Sequence, residues 1–461
     1  MTNPAIAVKP VSPFRKGLSQ ILRVLTVPLL AILLSFVIGG IIIWVTSGSI
    51  VNVWLAYEGL VRGALLKQRG LSESLVATVP YILLSLGVAV GFKTGLFNIG
   101  VEGQFYIGAI SAAWVGTLFP NLPTIINLPL ALLAGAVGGA IWAAIPGYLK
   151  AKTGAHEVIN TIMMNYVAFR LSEYIISFPL KDKLASAVQT PHVAAGAELW
   201  TMYSVPEKLK DPLNALAVAL LIALLAAVVA RSYFKRPDMV QRFKTPSLRR
   251  LAYAGTGLLV GLLTFFLLPP LTRLYWPFRD PFDRMHVGLI LAILAAVFVW
   301  WFLWKTTFGF ELRTVGANPN AARYAGVNIT RNIVLSMAFS GALAGLAGTI
   351  EVLGVSTCRC MQVFFSSGYG FDSIAIALLA KNDPFGILFS SFLFGAMRNG
   401  ADVMELNSGV SKYIISLLQG MVLLFVSAPA IVRWIFRLKA ERREEEPLAR
   451  TWGGSGGGGQ P

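Results

Sequence analysis

The sequence predicts an all-α polytopic membrane protein of about 10–12 transmembrane helices, with at least one broken or re-entrant pair. Three observations predict it. Hydrophobic residues fill 56% of the 461 positions and charged residues only 13%, against about 45–50% and 25% in soluble domains. Mean hydropathy is +0.67. Runs without Asp, Glu, Lys or Arg recur along the chain, and about 20 apolar residues cross a bilayer core as a helix. This composition excludes a disordered, fibrous or disulfide-stapled chain and argues against a soluble enzyme.

The charge-free runs are 24–45, 74–92, 104–122, 125–149, 213–230, 251–272, 287–304, 332–350 and 413–432. A further candidate span, 158–180, is interrupted by Arg170 and Glu173, which sit three apart on one helix face and read first as a structural pair. Between 369 and 402 two shorter pieces, 373–380 and 385–397, are broken at Lys381-Asn382-Asp383-Pro384. Each is too short to cross at 1.5 Å per residue. The first run follows Arg15, Lys16 and Arg23, but its 22 residues exceed a secretory h-region, so it reads as an uncleaved anchor.

The net charge of +17 is a topology signal. Its cations lie between apolar runs rather than on one soluble face, which argues against nucleic acid as a partner. With the N-terminus inside, most Lys and Arg fall on the cytoplasmic side, as the positive-inside rule requires, and contact with anionic lipid accounts for the remainder. The resulting organisation is a cytoplasmic segment 1–23, a transmembrane domain 24–436, and a cytoplasmic tail 437–461 that turns from basic to acidic to Gly-rich. Within the membrane domain, 231–250 is a basic cytoplasmic insert and 309–326 a cytoplasmic loop. Both termini are placed in the cytoplasm of a multi-pass protein of the cell (inner or plasma) membrane.

Five glycines and the polar set Asn98, Glu102 and Gln104 lie in 91–108, between two apolar runs. The stretch is either a plain interfacial loop or an irregular segment lining an interior surface, since irregular backbone at membrane depth must be buried in protein or line a cavity. Glu102 then needs a partner, because a carboxylate at a helix centre costs about 2.5–3.5 kcal/mol on insertion scales. In 309–326, Asn318 suits an N-cap, Pro319 the first helical position and Gly326 the residue past the end. A helix of one to two turns over 319–325 follows, with Arg313 and Arg323 beside it. It is either a solvated interfacial helix or a docking element for another protein. Asp372, Asn382, Asp383, Arg398, Asn399 and Asp402 cluster around the broken pair, the kind of place where transporters bind substrate. Glu351 ends its span at the outer surface and reads as solvated. Cys358 and Cys360 flank Arg359 too closely for an expected disulfide and read as free. The chain has no Gly-x-x-x-x-Gly-Lys-[Ser/Thr], no Ser/His/Asp order and no metal-ligand spacing, so no catalytic or metal residue is assigned and nucleotide chemistry must come from another polypeptide.

The phrase Gly95-Leu-Phe-Asn-Ile-Gly-Val-Glu-Gly-Gln104 resembles a signature of ABC-importer permeases of the ribose, nucleoside and branched-chain amino-acid superfamily. Lys150-Ala-Lys-Thr-Gly-Ala-His-Glu-Val-Ile-Asn-Thr-Ile-Met-Met-Asn-Tyr166 is similar to the nucleoside permeases in particular. Gly309-Phe-Glu-Leu-Arg-Thr-Val-Gly-Ala-Asn-Pro-Asn-Ala-Ala-Arg-Tyr-Ala-Gly326 resembles their ATPase-contacting loop. Gly370-Phe-Asp-Ser-Ile-Ala-Ile-Ala-Leu-Leu-Ala380, followed by Pro384-Phe-Gly386, again resembles the nucleoside branch. One such motif is weak; four in order, from about residue 75 to 435, are specific.

The resemblance implies a nucleoside importer's permease subunit that forms the translocation path and is driven by a separate ABC ATPase carrying ATP and Mg. It also implies a second permease subunit (a shorter, different chain or a second copy) and an extracytoplasmic substrate-binding protein received on the loops 46–73, 178–212 and 353–368. Coupling to the ATPase falls to Arg313, Asn318, Pro319, Ala322, Arg323, Tyr324 and Gly326. The path candidates are Phe97, Asn98, Glu102, Gln104, Asn160, Asn165, Tyr166, Asp372 and Asn399, and Phe97, Phe105 and Tyr166 are also candidates for stacking on a base. The alternative is an ion-coupled secondary transporter using Glu102, Glu173 and Asp372, because intramembrane acids are what such proteins need.

Overall fold

The computed structural model describes residues 13–235, 239–240, 245–363 and 365–437. The segment 1–12 and the tail beyond 437, both expected in the cytoplasm, lie outside these residues, as does part of the basic insert. Among the described residues the secondary structure is helical, apart from isolated bridges pairing Gln189 with Gln362 and Thr201 with His286. The helices are α1 Pro13–Ser47, α2 Ile50–Val61, α3 Gly70–Lys93, α4 Val101–Leu118, α5 Thr124–Thr153 and α6 Glu157–Ser177. They continue with α7 Val205–Lys208, α8 Pro212–Tyr233, α9 Pro246–Tyr275, α10 Gly288–Lys305, α11 Thr307–Ala317 and α12 Pro319–Tyr324. The last are α13 Ile329–Ile350, α14 Tyr369–Leu379, α15 Pro384–Ser408, α16 Tyr413–Ser427 and α17 Pro429–Ile435. Short π-helical turns, Arg62–Leu66 and Glu351–Val355, precede α3 and follow α13.

Among the described residues, seven helices are long and apolar enough to cross a membrane, or eight if α16 and α17 form one bent span. The protein is therefore an all-α polytopic membrane protein. α4, α6 and α15 lie among these spans but carry polar residues that lower their hydropathy, such as Glu102, Arg170 and Arg398.

The core forms around α3, which is buried on every side from Val79 to Gly91. A helix apolar all round belongs inside a bundle. α13 crosses α4 and α5 on glycine. A Cβ on Gly345 would meet the carbonyl of Gly135 with Gly139 beside it, and a Cβ on Gly108 would meet the backbone of Gly345. Membrane helices gain little from apolar burial against lipid, so close backbone approach through small residues is what holds such a crossing. At the periphery, α8 and α9 pack on each other through Ala219, Ala223 and Ala227 against Gly257 and Gly261, and their other faces are largely exposed.

Four expectations need correction. The second piece of the broken pair is not short: α15 runs 25 residues through Arg398, Asn399 and Asp402, because tertiary partners accommodate those side chains. A sharp break falls instead inside the run 413–432, where α16 and α17 bend by 89° at Ala428 and Pro429. Glu351 is not solvated; it is 8% exposed and begins the second π turn. Cys358 and Cys360 form a disulfide, their Cα atoms 5.1 Å apart. Arg359 between them takes a φ of +48°, and this left-handed turn brings the two Cα atoms into bridging range.

Candidate functional site

The segment between α3 and α4 is built by its own side chains. Asn98 and Gln104 exchange two hydrogen bonds at 3.0 and 3.1 Å, and Asn98 also donates to Ser340 Oγ at 2.9 Å. Asn165 on α6 donates to the Ile99 carbonyl at 3.0 Å and accepts from the Gly103 amide at 2.8 Å. These amides are buried, and their bonds satisfy a backbone that is not helical over 96–98. Phe97 packs edge-on against Phe92 at 5.1 Å. Asn160, one turn before Asn165, has no bond for its Nδ2.

Glu102 lies deeper and has the partners its burial requires. Its carboxylate accepts from Ser366 Oγ and from the Gly370 amide in the first turn of α14. Beside it, Tyr81 on α3 donates to Asp372 at 2.8 Å and accepts from Arg398 at 3.1 Å. The Arg398 guanidinium stands 3.9 Å from the centre of the Tyr369 ring. α3, α4, α14 and α15 thus meet on a charged cluster in which Tyr81 bridges Asp372 and Arg398. Asn399, next along α15, donates to the Gly63 and Gly70 carbonyls and to Ser74 Oγ, clasping the first π turn to α3.

A cleft of about 390 Å³ opens beside this cluster, within the size range that holds small ligands. α4 contributes Glu102 and Tyr106, the loop before α14 Ser366 and Gly368, and α14 Phe371. α6 supplies the facing wall with Tyr166, Phe169, Arg170 and Glu173. The Tyr106 and Phe169 rings lie 4.8 Å apart, with Phe365 4.7 Å from Tyr106 and Tyr166 6.2 Å from Phe169. Arg170 pairs with Glu173 at 2.7 Å.

Of the residues singled out in the sequence, Glu102 and Tyr166 line this cleft, and Asp372 stands in the adjoining charged cluster. Asn98, Gln104 and Asn165 hold the α3–α4 segment, Phe97 and Asn160 lie outside the cleft lining, and Asn399 holds the π turn. Phe105 is buried and stacks on Phe365 at 5.0 Å. Tyr81, Tyr106, Phe169, Tyr369 and Phe371 escaped sequence reading, since aromatic residues in apolar runs look like packing. A legible signal was the Arg170 and Glu173 pair inside a span.

At one end of the bundle α3, α5 and α10 finish on Lys93, Lys150 with Lys152, and Lys305. Lys93 and Arg313 lie 5.5 and 5.7 Å from the Trp304 ring. α11 is seated there by glycine: Gly316 touches the backbone of Lys93 and Thr94. α12 follows, its N-cap Asn318 accepting from the amides of Asn320 and Ala321 at 3.0 and 3.1 Å, and Gly326 turns the chain with a φ of +79°. Ala322 is the buried anchor of α12, while Pro319, Arg323 and Tyr324 are exposed, Tyr324 by 95%.

A multi-span helical bundle with a cleft between helices, lined by aromatic and charged side chains, and an exposed helix on a basic end is the form of a membrane permease. Residues 70–427 match the family of branched-chain amino acid transport system permease components. The chain belongs to this permease family. It is 34% identical to the guanosine ABC transporter permease protein NupP of Bacillus subtilis, over 89% of this chain and 95% of that one. It is 31% identical to the nucleoside ABC transporter permease protein NupB of Lactococcus lactis, over 89% and 92% of the two chains. It is 29% identical to the glucose ABC transporter permease protein TsgB13 of Haloferax volcanii, over 93% of each. No solved structure matches the chain.

Proposed function

We propose that this chain is the transmembrane permease subunit of an ABC importer for nucleosides. The cleft between α4, α6 and α14 is part of its translocation path, and a separate ATPase binds ATP and Mg. Substrate class rests on relatives named for guanosine and nucleosides; the glucose relative is a little less identical. The observation that carries the coupling role is α12: a capped helix held by one buried alanine, its Arg323 and Tyr324 free on a basic end. That basic end is the cytoplasmic one by the positive-inside rule, which places both termini inside. Arg313, Asn318, Pro319, Ala322, Arg323, Tyr324 and Gly326 then form and orient the segment that the ATPase grips. The opposite loops receive an external substrate-binding protein. A second permease subunit stands beside the exposed side of α6 and closes the cleft off from lipid, against which an ion pair cannot be left without cost.

ATP binding shifts the two access states only by its differential affinity for them, delivered through α12. In proteoliposomes, nucleoside uptake by the assembled importer needs ATP and its ATPase subunit and persists when ion gradients are collapsed. Tyr324→Ala with Arg323→Ala leaves the chain folded but lowers uptake per ATP hydrolysed at least tenfold. Uptake by the purified chain alone, driven by a proton or sodium gradient, overturns the reading.

A further inference from the structure

The Arg170–Glu173 pair is placed where an ordinary structural ion pair is not. Arg170 lies about 20 Å along α6 from Glu157, at 1.5 Å per residue, well inside the span. Yet its side chain is 81% exposed and that of Glu173 40%. Lipid is a poor neighbour for such a pair, so this face meets water or polar solute. Both residues line the cleft together with Tyr106, Tyr166 and Phe169. Tyr166 precedes Arg170 by one turn and so shares its face. Glu102, the other carboxylate of the cleft, is occupied by Ser366 and Gly370. Glu173 accepts from Arg170 through one oxygen only, and a carboxylate offers about four lone-pair positions on two oxygens.

Resting on the reading of the chain as a nucleoside permease, we infer that Arg170 and Glu173 are its specificity-determining residues. Their side chains read the edge of a nucleobase while the aromatic wall takes its face. Guanidinium and carboxylate side by side present a donor next to an acceptor. The complementary ligand edge carries a carbonyl beside an N–H, as in hypoxanthine, guanine and uracil. Arg170 donates to the carbonyl and Glu173 accepts from the N–H. A sugar without a base offers neither the flat face nor that edge.

The test uses the complete importer in proteoliposomes, with inosine and 1-methylinosine as probes; the methyl group removes the N–H that Glu173 receives. Because an external binding protein sets capture, the quantity read is the maximal uptake rate at saturating substrate rather than KM. The wild type moves inosine faster than 1-methylinosine by about tenfold to a hundredfold, the range of a hydrogen bond to a charged group. Glu173→Gln, which keeps an acceptor but loses the charge, slows inosine several-fold and 1-methylinosine little, so the discrimination narrows; Glu173→Asp recovers part of it. Co-purification of the ATPase subunit with each variant shows that the fold survives. Equal slowing of both probes by Glu173→Gln and Arg170→Gln overturns the inference and leaves a structural pair. Unchanged discrimination in Glu173→Gln overturns it as well. Failure of the wild type to import any nucleoside would sink the functional reading itself, a result distinct from both.

Discussion

The two ends of the bundle are held by different means. At the loop-rich end, side chains tie one loop to the next. Arg69 pairs with Asp280, Ser72 donates to Asp283, and Arg284 reaches both Glu73 and the Val355 carbonyl. Thr190 exchanges bonds with Met361 at 2.9 and 3.0 Å, Trp276 donates to Met202, and the Cys358–Cys360 disulfide closes the last loop. At the basic end Lys150 pairs with Glu157, Glu311 accepts from Asn332, and α11 is seated through Gly316 and the buried Leu312 and Val315, whereas α12 rests on its cap and one buried alanine. The difference teaches that one end is organised by its own chain. The other presents a short exposed helix, as a surface to be gripped by another protein should.

Substitutions that loosen each end test the contrast. The largest effect is expected from Gly316→Val. Its Cβ would fall 2.3 Å from the Lys93 carbonyl oxygen and 2.8 Å from the Thr94 backbone, where no rotamer change gives relief. A loss of about 3 kcal/mol is expected, read as a lower Tm in detergent, and with it the seat of α12.

Acid should act on the opposite end. His286 is buried, and burial first, then the Arg359 and Arg284 cations, push its imidazole from 6.5 down to about 3. The folded protein thus holds it neutral while the unfolded chain binds a proton below pH 6.5. Stability from this group is complete above that pH and is lost as pH falls toward 3. At pH 5 the loss is about 2 kcal/mol, and His286→Gln should remove that part of the acid sensitivity. Equal Tm shifts between pH 7 and 5 in both proteins would contradict the assignment.

A smaller loss, about 1 kcal/mol, is expected from Arg284→Ala, whose bonds are only partly buried. Faster amide exchange should appear at 276–287 and leave α12 unchanged. Smallest of all, Tyr324→Ala should move stability by less than about 0.5 kcal/mol. A larger drop would show that α12 is part of the fold rather than a free grip.

The short helix after Asn318 was legible before any coordinates because its cap, its proline and its terminating glycine are neighbours in sequence. The turn at 381–383 was legible for the same reason: Lys381 and Asn382 adopt φ of +53° and +57°, and Asp383 caps α15 through the Gly386 amide at 2.8 Å. Glu102 announced itself as a carboxylate in need of a partner. What it could not announce was Ser366 and Gly370, more than 260 residues away. Arg398 was legible only as one of the polar residues around the broken pair, because its compensation, Tyr81 and Tyr369, comes from other helices.

The membrane class, most of the helices and the capped segment on the basic end could be read from the amino-acid order. Each of these depends on apolar length, on residues close in the chain and on which backbone groups can be satisfied locally. Only the tertiary structure decided that Arg398 joins Tyr81, Asp372 and Tyr369, that Glu351 is enclosed, and that Arg170 and Glu173 open onto a cleft. Those outcomes depend on which helices cross, and crossing is set by close fits such as that at Gly345. No pattern within a single helix records the partner it will meet.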